Sequence, residues 1–105
     1  MSGMHAEEIA PGSLVISGDL RVEQAVELFQ LLSERLDACG SLSINLLDVE
    51  EADVSTIQTM LLLKLEADRS NKALHWLGFA TPITELVQRL NLSSELGEPQ
   101  AAMWE

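Results

Sequence analysis

Cysteine occurs once, at position 39. An intrachain disulfide and a Cys-x-x-Cys metal or redox pair are therefore excluded. A buried reduced thiol is the expected state of Cys39, with an interchain disulfide as the alternative. Basic residues are scarce: six Lys and Arg stand against seventeen Asp and Glu, a formal net charge of −11. Nucleic acid and anionic membrane surfaces would be repelled, whereas a basic protein surface would be attracted. No apolar run exceeds four residues, as at Met60–Leu63, far short of a membrane span. Met1 to Pro11 shows no basic stretch followed by an apolar one, so no signal peptide is expected and the cytoplasm is the simplest compartment.

Several chemical signatures are missing as well. There is no glycine-rich phosphate loop and no Gly-x-Ser-x-Gly elbow. His5 and His75 have no nucleophile or carboxylate at a telling spacing. No catalytic residue and no cofactor are expected. Four acids in six residues, Asp48, Glu50, Glu51 and Asp53, raise the question of a hard metal ion. The cluster lacks the glycine, the alternation and the distant glutamate of a calcium loop. A solvated loop at a strand end is the expected reading, with no metal.

What remains is a chain of 105 residues with 47% apolar content, enough for one compact core and consistent with one domain over residues 1–105. Residues 1–10 form a weak segment with a short edge strand expected over His5–Ile9. Pro11-Gly12 marks a turn. Leu14-Val15-Ile16 reads as a strand covered on both faces, ended by Gly18-Asp19. From Val22 to Cys39 the period becomes helical, with Val22, Ala25, Val26, Phe29, Leu32, Leu36 and Cys39 on one stripe. Leu28 and Leu31 fall off that stripe and are expected to be partly exposed, and Gly40 is the expected C-cap. Leu42–Val49 and Ala73–Phe79 read as strands, with a helix between them from Ser55 to about Asn71. Thr81-Pro82 opens a third helix, with threonine as N-cap and Ile83, Leu86, Val87 and Leu90 buried. A further helical turn is expected within residues 91–97, and residues 98–105 read as a tail with Trp104 as an anchor. Single strands alternating with helices require parallel pairing and right-handed crossovers. The expected fold is α/β: about four strands, mostly parallel, with an antiparallel N-terminal strand, packed with helices.

Ser55 stands where strand gives way to helix. Ser55-Thr56-Ile57-Gln58 matches a capping box, in which a cap contributes on the order of 1 kcal/mol. The same hydroxyl, phosphorylated, would place a dianion at a helix start. At 100° per residue, Ile57, Met60, Leu61 and Lys64 form the core face of this helix. Ser55, Thr59, Leu62 and Glu66 lie opposite, bordered by Gln58 and Arg69. Leu62 and Leu63 are candidates for exposure, either as a contact surface or packed on neighbouring helices.

Over Leu14 to Gly97 the chain resembles a STAS domain, the fold of anti-sigma factor antagonists and of the cytosolic tails of sulfate transporters. Gly18-Asp19-Leu20 is similar to the family's Gly-x-Leu, and Asp53-Val54-Ser55-Thr56-Ile57 lies over the family's Asp-Ser-Ser-Gly-Leu. Gly78 to Ile83 resembles the last strand and helix start. Leu90-Asn91-Leu92 is similar to the closing Leu-x-Gly-Leu, with asparagine where glycine is usual. Val54 replaces the first serine of the central motif and Thr56 its glycine.

The resemblance implies that Ser55 is the residue phosphorylated by an anti-sigma-type serine kinase, with Thr56 as alternative acceptor, and that Asp53 shapes the docking site. It implies a partner-binding face of Asp53, Val54, Ser55, Thr56, Gln58, Thr59 and Leu62. The expected partner is an anti-sigma factor, serine kinase-like protein or chemotaxis component. No nucleic acid and no direct membrane insertion are expected, and a homodimer is left open. The alternative reading is a constitutive STAS subunit of a lipid-transport ABC complex, with Ser55 serving only as a helix cap.

Overall fold

The computed structural model describes residues 3–92 and 96. Its elements run β1 (Met4–Ala10), β2 (Ser13–Leu20), α1 (Val22–Cys39), β3 (Ser41–Ala52), α2 (Val54–Arg69), β4 (Ala73–Phe79) and α3 (Thr81–Arg89). The strands lie in the order β1-β2-β3-β4. β1 is antiparallel to β2 through the Pro11-Gly12 turn, and the other two pairs are parallel. This is the expected α/β arrangement.

Burial alternates along the strands. Leu14 and Ile16 of β2, Leu42, Ile44 and Leu46 of β3, and Trp76 of β4 are buried and form one core with the helices. Their neighbours Val15, Ser43, Asn45 and His75 are only half-buried. β2 is therefore not covered equally on both faces: its short apolar run continues through Ser17 and Gly18 with strand periodicity. β2 also passes Gly18-Asp19 and ends at Leu20. Gly18 has φ 89°, and a Cβ there would meet the carbonyl oxygen of Gly3 at 2.1 Å, so only glycine fits.

β3 is longer than its apolar residues indicate. Asp48 pairs with Ser17 and Glu51 with Asp19, so these acids belong to the strand rather than to a loop. Ladder hydrogen bonds to β2 hold the backbone extended while the acidic side chains of Asp48, Glu50 and Glu51 stay in water.

Helix α1 is rotated relative to the expected stripe. Leu28, Leu32 and Leu36, at steps of four, are buried, with Leu31 and Phe29 at the margins. Val22 and Val26 are exposed, as is Cys39, so the thiol is not a core group. The helix carries two apolar stripes, and the leucine stripe, with more area to bury, takes the core. Gly40 caps the helix at φ 72°, its N–H donating to the Leu36 carbonyl.

In α2 the core side is Thr56, Ile57, Thr59, Met60, Leu63 and Ala67. Leu63 is fully buried at 0% exposure, against expectation, and Leu62 is 54% exposed. α2 packs against α1 on one side and α3 on the other, so a wider arc of its surface is covered than one stripe.

In α3 the N-cap is Ala80, with Thr81 and Pro82 in the first turn and no side-chain cap. Ile83 and Val87 are buried, Leu86 packs at the core margin, and Leu90 is exposed at the C-cap. Asn91 follows at φ 57°, a left-handed position where glycine is usual and asparagine is tolerated. Of the turn expected within 91–97, Leu96 is helical and buried. Residues 98–105, including Trp104, lie outside the described residues.

Candidate functional site

The carboxyl ends of the parallel strands bring the starts of α1 and α2 together. α1 begins after Arg21, whose side chain has no acceptor to offer. Gln24 Oε1 takes the Arg21 N–H. The next N–H, that of Val22, is taken from across the fold by Asp53 Oδ2 at 3.0 Å.

Asp53, not Ser55, is the N-cap of α2. Its Oδ1 accepts the Ser55 N–H at 3.0 Å and the Ser55 hydroxyl. The capping box is Asp53 to Thr56: the Asp53 N–H donates to Thr56 Oγ1 at 3.2 Å. The Thr56 hydroxyl in turn donates to the Leu20 carbonyl at the end of β2. Asp-x-x-Thr supplies the same reciprocal acceptors as Ser-x-x-Gln, and the extended Asp53 backbone decides between them. One carboxylate thus closes two helix starts. Its partial burial pushes the Asp53 carboxyl upward. Donation from the Ser55 hydroxyl and from the backbone N–H groups of Val22, Ser55 and Thr56 outweighs that, leaving it below its ordinary value.

The residues expected to form the partner face divide. Val54, Gln58 and Leu62 are exposed, and Asp53 and Ser55 are half-buried. Thr56, at 1% exposure, and Thr59, at 5%, are buried. Thr56 therefore presents no surface, and its hydroxyl is built into the cap. Thr59 donates back to the Ser55 carbonyl at 2.9 Å. No hydrogen bond joins a histidine to Ser55 among the described residues, and no cluster of three or more metal-ligating side chains occurs there.

Beside Ser55 a groove runs between the two helices, lined by Val26, Phe29, Gln58 and Leu62. It continues past Phe29 and Leu62 to Leu65 and Arg69. The α1 wall was not legible from α2 alone. Its signal is the recurrence of Val22, Val26 and Phe29 at steps of four and three, which competes with the leucine stripe for the core.

The STAS family model described as "Mlab, STAS domain" matches residues 5–98. The chain belongs to the STAS family. No curated protein matches it. The solved structures similar to this STAS domain include two of SpoIIAA. The anti-sigma factor antagonist SpoIIAA in its unphosphorylated form shares 16% identity at a TM-score of 0.68, over 88% of this chain and 84% of that one. The Bacillus cell fate determinant SpoIIAA in the phosphorylated form shares 16% identity at a TM-score of 0.66, over 88% and 86%. These matches show that the STAS fold, with its antiparallel first strand, is the fold of this chain.

Proposed function

We propose that this STAS domain is a non-catalytic interaction module of a partner-switching or chemotaxis-type pathway, anti-sigma factor antagonist-like, with Ser55 as the residue phosphorylated by a partner kinase. The observation that carries the reading is the position of Ser55. It stands half-buried at the first turn of α2, its hydroxyl on Asp53 Oδ1, at the edge of an exposed apolar groove. SpoIIAA, similar in fold, is known in both unphosphorylated and phosphorylated forms.

The chemistry of the switch follows from the cap. A phosphoryl group adds about −1.5 to −2 charges at pH 7. A helix start would ordinarily offer that dianion free N–H groups. Here the Ser55 N–H is committed to the Asp53 side chain, and the Thr56 N–H is shared between the Asp53 carbonyl and carboxylate. The phosphate replaces an attractive O–H to carboxylate contact by a repulsive one, on a chain already at −11. The charge is left for the partner to meet, and a partner face suited to a neutral hydroxyl loses affinity.

A second reading is a constitutive STAS subunit of a lipid-transport ABC complex. It is favoured by Thr56, whose hydroxyl is structural where phosphorylatable members have glycine, and by a family model described by Mlab rather than by either solved neighbour. In that reading Ser55 serves to hold the capping carboxylate, not as the cap itself. Binding of the cognate partner to Ser55→Asp and Ser55→Ala separates the two. The switch requires loss with aspartate and retention with alanine, and equal binding by both supports the constitutive subunit.

A further inference from the structure

We infer that the groove between α1 and α2 receives an amphipathic helix of the partner protein, apolar on one side and basic along one flank. This rests on the reading that the α1–α2 face is the partner face, but not on phosphorylation.

The groove is apolar where a globular surface is ordinarily polar. Val26 of α1, at 69% exposure, and Leu62 and Leu65 of α2, at 54% and 64%, stand open to solvent with Phe29 between them. Two parallel helices leave between them a channel whose natural occupant is a third helix, reading it with side chains at steps of three and four.

Charge decides what kind of helix. Glu23, Glu27 and Glu34 recur on one stripe of α1, on the outer side of the groove residues Val26 and Gln30. All three are exposed, and no cation pairs with them among the described residues. The chain has almost no cations to spare. Arg21, Arg35, Lys64, Arg69 and Lys72 are paired with Asp19, Glu8, Asp68, Glu66 and Asp37, leaving Arg89 on α3. The outer flank of α1 beside the groove is thus an uncompensated acidic rail, and on the α2 bank Glu66 and Asp68 are neutralised by Arg69 and Lys64. A Lys- or Arg-lined flank complements the rail. A second copy of this chain would bring one acidic rail toward another, and an anionic bilayer would be repelled.

The test uses a designed helical peptide of about 18 residues with leucines at steps of three and four and arginines along one flank. Two controls accompany it: the same apolar face with a glutamate flank, and a scrambled basic peptide. Binding is followed by amide chemical shifts of the full chain. The basic amphipathic peptide should shift Val26, Phe29, Gln58, Leu62 and Leu65 and bind at least about tenfold more tightly than either control. Leu62→Asp, and separately the charge reversal E23K/E27K/E34K, should each weaken it by about tenfold or more. Both change exposed positions, and circular dichroism checks that the fold is kept.

Equal binding by the scrambled peptide, shifts on another face, or a dimer in light scattering that Leu62→Asp converts to monomer would each overturn the inference. Peptide binding, together with equal binding of the cognate partner by Ser55→Asp and Ser55→Ala, leaves the groove standing and removes the switch. A cognate partner that responds to Ser55→Asp while the peptide fails to bind leaves the switch and removes the groove.

Discussion

Asp53 Oδ2 accepts the backbone N–H of Val22, thirty-one residues away, at 3.0 Å. This one contact ties the start of α1 to the start of α2, since the other oxygen of the same carboxylate caps α2. Loss of an N-cap costs on the order of 1 kcal/mol, and here two helix starts share it. Asp53→Ala is expected to lower the unfolding free energy by about 2 kcal/mol. Denaturant titration measures the cost, and faster exchange of the Val22 amide shows that α1 is affected as well as α2.

The same carboxylate gives a pH dependence of definite sign. Its folded-state pKa lies below the ordinary value because three N–H groups and one hydroxyl donate to the ionised form. A depressed pKa contributes stability that is present above the unfolded-state value, about 3.9, and is lost as pH falls through the folded-state value. Acid unfolding below about pH 4 should therefore be shallower in Asp53→Asn than in the parent chain, measured as stability against pH.

The Thr56 hydroxyl joins the Asp53 N–H to the Leu20 carbonyl. Removing it leaves two polar groups at a buried position to find other partners. Thr56→Ala should cost about 1–3 kcal/mol in denaturant unfolding, and Thr56→Ser should recover most of that. A cost as large in the serine variant would place the role in the threonine methyl instead.

Leu62 and Leu63 were equivalent in sequence and are opposite in space. Leu63→Ala opens a cavity in the core and should cost about 2–5 kcal/mol. Leu62→Ala changes an exposed side chain and should stay within about 0.5 kcal/mol. Equilibrium urea unfolding of both variants checks the assignment.

The element order was legible in the sequence because the hydrophobic period changes with each element, and β4 was bounded to the residue by Ala73 and Phe79. Faces were less legible. α1 carries valine and leucine stripes of similar strength, and only packing against β2 and β3 selects the leucines. The acidic end of β3 was hidden because pairing is made by backbone, which composition does not report. At the site, Ser55 and Asp53 were both visible, but the cap depends on which of them is extended. The tie to Val22 is a contact across the fold that no local pattern contains.

Whether Ser55 is a switch is decided by calorimetric titration of the cognate partner with the chain phosphorylated stoichiometrically at Ser55 and with the same chain unmodified. Mass spectrometry should place the phosphate on Ser55 rather than Thr56, and the affinity should fall by at least about tenfold on phosphorylation, as for a buried charge left unpaired at an interface. Equal affinity of the two forms would contradict the switch.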